Sequence, residues 1–300
     1  DLYHSLLLQG SCLDMAKIFP DGGGVTRSFP ASLGPTAATP VWTVAYEGDF
    51  SALDTGSALN TDAGVSVGGK SWTVKNGSNS AYLTEVKVYN GAGLKFTFDG
   101  SNSDSKLGPG EYTCPRIQIP VYGAGGLVPT LAIDDTLAFQ VLLGSGGLGD
   151  NWQVYGLHLS DGGTGGVNWF ENSTAYESGT NTGSPYLITE VQVGTAGQAL
   201  TSLGSNSDPG MRELVWYAGS CGFVSSHNQT SAWADPLNST GIMSGVLSSA
   251  TNTVPAAAPT LNITIANATL CLHAFYANAA GGRTAYNCTF SKFRVLKRAK

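Results

Sequence analysis

Residues able to do chemistry are sparse in this chain, and the carboxylates come first. EGDFS (47–51) sets Glu47 and Asp49 two positions apart, so in a strand both project from one face, the arrangement that paired carboxylates need to cleave a sugar linkage. Ser51 stands where a second glutamate would complete an E-x-D-x-E pattern. The pair therefore reads as structural, at a strand end, and the catalytic set is left empty. ALDTGSALN (52–60) places Asp54 in an Asp-Thr-Gly-Ser turn, but aspartic proteolysis needs two aspartates sharing a proton, and no second D-[ST]-G occurs. GVSVG (64–68) fits the spacing of a nucleophile elbow, yet GKSWTVK follows where that elbow needs a helix. It reads as a strand edge. His4, His158, His227 and His273 are too scattered for a spacing such as H-E-x-x-H.

Binding chemistry is better represented. Trp152, Trp169, Tyr176, Tyr186, Trp216 and Trp233 lie in or beside Gly/Asn-rich segments, where an aromatic face can stack on a sugar ring while nearby amides and carboxylates take its hydroxyls. Most aromatic residues of a β-sandwich are core, so one or two of the six are expected to line a groove. The GSNSD loops, with Asp99 and Asp104, offer hard oxygen ligands suited to Ca2+; Asx turns are the simpler reading of the same residues. No other cofactor is implied. Cys12, Cys114, Cys221, Cys271 and Cys288 are odd in number, which excludes full intramolecular pairing. If 270–276 and 284–290 form a hairpin, Cys271 and Cys288 face each other and are the disulfide candidate; free buried thiols are the alternative.

Composition limits the partners. Only 12% of residues are charged and the net charge is −6, so general nucleic-acid binding, which works by neutralising phosphates, is not expected. No apolar run is long enough to span a membrane. Such low charge, with a surface of Ser, Thr, Asn and Gly, suits secreted, cell-surface and virion proteins.

Forty glycines and thirteen prolines punctuate short β-branched or aromatic stretches at 41–46, 71–75, 82–89, 94–98, 116–122, 136–143, 152–159, 186–193, 213–218, 261–266, 269–276 and 291–296. No window sustains a helical period. The pattern predicts an all-β sandwich or barrel with little helix. In the last stretch Ser291, Phe293 and Val295 share one face and Lys292 and Arg294 the other, which predicts a half-buried closing strand whose charges guard an open edge. GGKSWTV (68–74), TEVKV (84–88) and GSNSD (100–104) recur loosely as GGVNWFE (165–171), TEVQV (189–193) and GSNSD (204–208). Two tandem sandwiches with a boundary near 124–130 are therefore an alternative to one.

From Arg212 onward, RELVWYAGSCGFVSS and then LNITIANATLCLHAFYANAAGGRTAYNCTFSKFRVLKR resemble the closing strands of concanavalin A-like lectin/glucanase sandwiches, with TFSKFRV (289–295) matching the final strand. Ser291 and Lys292 replace the acidic residue usual there. TRSFPASLGPTAATPVWTVAYEGDF (26–50) is similar to the opening of lectin-like domains in phage tail and other virion proteins. The resemblance implies an antiparallel jelly-roll β-sandwich over 35–300, preceded by an N-terminal docking arm, 1–34. It further implies a non-enzymatic structural protein at the virion surface, as a phage tail, fibre or capsid-decoration component. The expected partners are other copies of the chain, other virion proteins and host-surface glycans. A secreted, extracellular carbohydrate-binding module or lectin is the alternative, and a polysaccharide hydrolase or lyase using Glu47 and Asp49 a lesser one.

Overall fold

The computed structural model describes residues 41–75, 83–98, 115–131, 135–144, 152–160, 168–176, 186–193, 196–203, 210–217, 222–228, 232–236, 241–244, 268–277 and 286–298. The expected arm 1–34 and strand 261–266 lie outside them. Chain contacts group 1–41 apart from Trp42–Lys300, and the second unit is a β-sandwich.

Sheet 1 runs in the order β14 (Gly241–Ser244), β13 (Gly222–Asn228), β12 (Met211–Tyr217), β7 (Thr136–Leu143), β16 (Tyr286–Arg298), β5 (Gly93–Phe98), β4 (Leu83–Tyr89). Strand β1 (Thr43–Asp49) joins it along the second half of β16, residues 292–297. Sheet 2 runs β11 (Ala196–Leu203), β10 (Tyr186–Val193), β9 (Asn168–Tyr176), β8 (Trp152–Ser160), β15 (Thr269–Ala277), β6 (Arg116–Pro120), β3 (Lys70–Lys75), β2 (Gly64–Val67). Every ladder between these strands is antiparallel. Among the described residues the one helical element is the 3-10 turn Phe50–Ala52. The expected all-β antiparallel sandwich is thus the architecture observed.

Alternation builds the core. Val65, Val67, Trp72, Val74, Ile117, Ile119, Leu157, Leu159, Leu270 and Leu272 come from sheet 2, and Val86, Val88, Phe96, Phe139, Val141, Leu214, Phe290, Phe293 and Val295 from sheet 1; all are buried in one cluster. The two sheets are tied by aromatic packing. Trp72 meets Phe293 edge to face at 5.3 Å and Phe50 at 5.8 Å, while Tyr46 lies 6.0 Å from Phe293. The polar atoms that this packing buries are satisfied: the Trp72 indole donates to the Tyr46 hydroxyl at 3.0 Å, which donates to Val67 O at 2.8 Å. Gly48 makes the arrangement possible, because a Cβ there would stand 2.6 Å from the Tyr46 hydroxyl oxygen and 2.8 Å from Val67 Cγ1.

Four expectations are corrected here. Strand β16 is no edge: it is interior, paired with β7 on one side and with β5 and β1 on the other, so its charges serve the outer face of sheet 1 and guard no open rim. β15 and β16 do not form a hairpin, because β15 pairs with β6 and β8 in the opposite sheet. Cys271 and Cys288 are accordingly both free and buried. The third concerns strands that sequence reading passed over, since β9, β11, β13 and β14 are rich in Gly, Ser, Asn and Gln and read as loops. Both sheets also take strands from before and after 124–130, so that point divides no compact unit.

Truncating Trp72 to Ala is expected to cost about 3–5 kcal/mol, through lost transfer energy and the cavity left between the sheets. Urea denaturation should show this as a lower midpoint with an unchanged slope. A non-reduced digest should contain no peptide linking Cys271 to Cys288.

Candidate functional site

The two sheets differ in what they carry on their outer faces. On sheet 2, Ile117 and Ile119, Leu270 and Leu272, and Leu157 and Leu159 face the core, so the residues alternating with them, Arg116 and Gln118, Cys271 and His273, and His158 and Ser160, belong to the outer face. Residues paired across an antiparallel ladder share a face, which extends the assignment outward through the backbone register. Gln118, Cys271, His158, Glu171 and Glu190 form one continuous row across five strands. In the next row on one side Ser160 pairs with Trp169 and Trp169 with Gln192; two rows away on the other side Tyr186 pairs with Ala175 and Ala175 with Val154. Trp152 alternates on β8 with positions of this same face.

The described part of this row and of the adjoining Arg116–His273 row is a largely buried polar floor. His158 is 5% exposed and His273 and Cys271 are fully buried. The imidazoles pack edge to face with centroids 5.5 Å apart, and Arg116 Nε donates to Gln118 Oε1 at 2.9 Å. Burial, with His273 and Arg116 adding to it, holds the His158 imidazole well below its ordinary value. Burial likewise pushes the Cys271 thiol up to about 12 against the pull of Arg116. That thiol is therefore not a nucleophile.

The outer face of sheet 1 is differently occupied. Glu47, Arg294, Gln140 and Glu213 form a row across β1, β16, β7 and β12. Segment 232–236 crosses it: Gln140 Nε2 and Arg294 Nη2 both donate to Ala234 O, at 3.0 and 2.9 Å. Arg294 Nε donates to Gln140 Oε1 at 2.8 Å, Gln140 donates to the Glu213 carboxylate, and the Arg294 guanidinium lies 4.5 Å from the Trp233 ring centroid. This face is a strapped structural seam.

Glu47 and Asp49 do share that face, but they are not matched. Asp49 accepts from Ser51 N at 2.9 Å to cap the 3-10 turn, and its Oδ2 lies 3.0 Å from Lys292 Nζ. Burial is the largest single influence and raises its carboxyl, but the hydrogen bonds from Ser51 and Lys292 and the Lys292 charge together outweigh it and hold the group below the usual range. A carboxylate so committed is a cap. Asp54 likewise accepts from Gly56 N at 2.7 Å within its turn, and Ser66 lies in β2, which runs through two positive-φ glycines into β3 with no helix between.

The predicted aromatics are divided by these facts. Trp216 is a correction: at 1% exposure it lies in the inter-sheet core, because position 216 alternates with Leu214 on the inner side of β12. Trp233 packs on Arg294 over sheet 1. Tyr176 stands opposite Gln153, out of phase with the outer-face rows, whereas Trp152, Trp169 and Tyr186 occupy them. Asp99 and Asp104, the Ca2+ candidates, lie outside the described residues, and among the described residues no group of three His, Cys, Asp or Glu could hold a metal ion. Sequence reading missed Glu171 and Glu190, whose proximity is visible only once β9 and β10 are known to pair.

No family model and no curated protein matches the sequence. Several solved structures resemble the fold. One is an immunostimulatory antigen and pseudo β-1,3-glucanase of Mycobacterium tuberculosis, 12% identical over 84% of this chain and 98% of that one, with a TM-score of 0.40. Another is a protein of unknown function from Shewanella oneidensis MR-1, 8% identical over 91% and 97%, TM-score 0.40. A third is a bifunctional GH43-CE protein of Bacteroides eggerthii, 9% identical with a TM-score of 0.35; the match takes in 67% of this chain and 21% of that protein. The likeness is one of β-sandwich architecture. It corrects the expectation of a non-enzymatic virion structural protein: the matches named above are a GH43-CE protein, a pseudo β-1,3-glucanase and a protein of unknown function, and the phage link finds no counterpart in them. That reading is given up. Among the described residues no helix is long and apolar enough to cross a membrane.

Trp216→Ala is expected to lower stability by about 3–5 kcal/mol, while the exposed Glu47→Gln stays within about 0.5 kcal/mol of the parent; thermal melts of the two variants separate core from surface.

Proposed function

We propose that this protein is carbohydrate-directed and engages a polysaccharide along the outer face of sheet 2. The observation that carries the reading is the β8–β9–β10 register, which puts Glu171 and Glu190 side by side in one row, with Trp169 and Gln192 in the next row on one side and Tyr186 two rows away on the other. Aromatic positions alternating with carboxylates and amides on one sheet face suit a pyranose chain, whose apolar ring faces stack and whose hydroxyls seek oxygen and amide partners. Trp169→Ala and Tyr186→Ala should each weaken binding by about 10-fold or more with the fold retained. The measurement is affinity electrophoresis against a panel of soluble β-glucans, xylans and mannans. Wild-type migration unchanged by every polysaccharide would overturn the reading.

A second reading, retaining hydrolysis at the same face, is favoured by the same pair. Directly opposed cross-strand residues hold their Cβ atoms about 4.5–5.5 Å apart, and retaining glycosidases keep their two carboxyl groups about 5–5.5 Å apart. One glutamate would attack the anomeric carbon to form a glycosyl ester as the other protonates the departing oxygen; the second would then deprotonate the water that releases the sugar. Glu171→Gln and Glu190→Gln should then abolish release of reducing ends from a bound polysaccharide while leaving binding within a few-fold. Binding with no reducing ends released by the wild type selects the non-catalytic form.

A further inference from the structure

Charge is unevenly distributed along this chain. Residues 117–211 contain eight carboxylates and no lysine or arginine, although the whole chain has fifteen basic residues. That stretch builds β8 to β11, the half of sheet 2 that carries the proposed glycan face. Glu171 and Glu190 are the only acidic residues in those four strands, and His158 is the only imidazole. The register sets the two glutamates directly opposite each other on β9 and β10. Like charges so placed destabilise a sheet unless a cation offsets them. His158 stands opposite Glu171, and even when protonated it balances one of the two. Strand β15 also lacks lysine and arginine, so among the described strands the first such cation on this face is Arg116 of β6. Its Nε donates to Gln118 Oε1 at 2.9 Å. At about 4.8 Å per strand, β6 lies about 14 Å from β9 and about 19 Å from β10, beyond the ~8 Å screening length of physiological salt.

We propose that the site on the outer face of sheet 2 selects cationic glycans, those whose rings carry protonated amino groups, and rejects acidic ones. This deepens the carbohydrate reading above and rests on it. An ammonium group takes two things from a protein surface: a carboxylate that accepts its hydrogen bonds and an aromatic face that it can lie against. The row of Glu171 and Glu190 and the rows of Trp169 and Tyr186 bring both to one face. An amino sugar bound there would offset the repulsion between the two glutamates. A uronic acid or a sulfated sugar would add a third negative charge, with no guanidinium or ammonium from β15 or β8 to β11 to receive it.

One glucan backbone in three forms, neutral, trimethylammonium-substituted and carboxymethyl-substituted, separates charge from sugar. Calorimetric titration of the whole chain in EDTA at neutral pH and about 10 mM salt should rank cationic over neutral over anionic, with about 10-fold between successive forms. The steps should shrink to about 2-fold or less at about 500 mM salt. Glu171→Gln and Glu190→Gln should each lower the cationic preference by about 3-fold. Glu47→Gln, which removes an equal charge from sheet 1, should leave it unchanged. Where a glutamate variant fails to fold, the wild-type ranking and its salt dependence decide. A carboxymethyl form bound as tightly as the neutral one overturns the proposal, as does a preference that Glu47→Gln lowers as much as Glu171→Gln. Polylysine bound as tightly as the cationic glucan overturns it too, since charge without sugar would then suffice. Equal binding of all three forms removes the charge selectivity and leaves the carbohydrate reading standing, whereas binding of none removes both.

Discussion

Trp72 of one sheet meeting Phe293 of the other at 5.3 Å is the contact on which the sandwich depends. It fixes the distance between the layers, and around it Tyr46 and Phe50 close the same end of the core with hydroxyl and indole groups already paired. Each of the two anchor residues sits in a strand with β-strand neighbours on both sides. The contact thus sets which side chains of β3 and β16 point inward, and with them the phase of every strand paired outward from those two. A slip of one residue in either would exchange core for surface.

That phase decides where chemistry can be located. On sheet 1 the outward cations of β16 are consumed in holding structure, Lys292 on Asp49 and Arg294 under the 232–236 strap, while Leu296, the next outward position, packs in a small apolar cluster with Ala138 and Val215. On sheet 2 the outward row instead runs from a half-buried amide through a thiol and an imidazole to two neighbouring carboxylates. A face whose charges are spent on each other is a poor place for a ligand; one that concentrates acids at the end of a polar floor is a better one.

Much of the fold was legible in the chain. The alternation of RIQIP, TLCLHAFY and SKFRVL gives strand, face and burial together, because each has an unbroken apolar period of two. NWFENSTAY and AGQALTSL do not, since their turn-forming polar residues hide a strand whose pairing comes from neighbours. The site was less legible for the same reason. Glu171 and Glu190 are far apart in sequence and sit in segments without local contrast, so only the ladder brings them together. Glu47 and Asp49 had the right spacing and the wrong surroundings: spacing says which face a carboxylate takes, not whether a serine and a lysine have claimed it. Cys271 and Cys288 failed in the opposite way, since a short connection suggested a hairpin where the chain crosses from one sheet to the other.

Strand β16 holds the middle of sheet 1, yet it is made after every other described strand. Its partner β1 lies some 250 residues earlier, with Thr43 bonded to Lys297 O. Until residue 298 has left the ribosome, β7, β5 and β1 have no common neighbour, and each presents an unpaired edge. Non-local closure of this kind makes for slow folding and for aggregation-prone intermediates. Synthesis therefore passes through an interval in which β7, β5 and β1 wait for the strand that joins them.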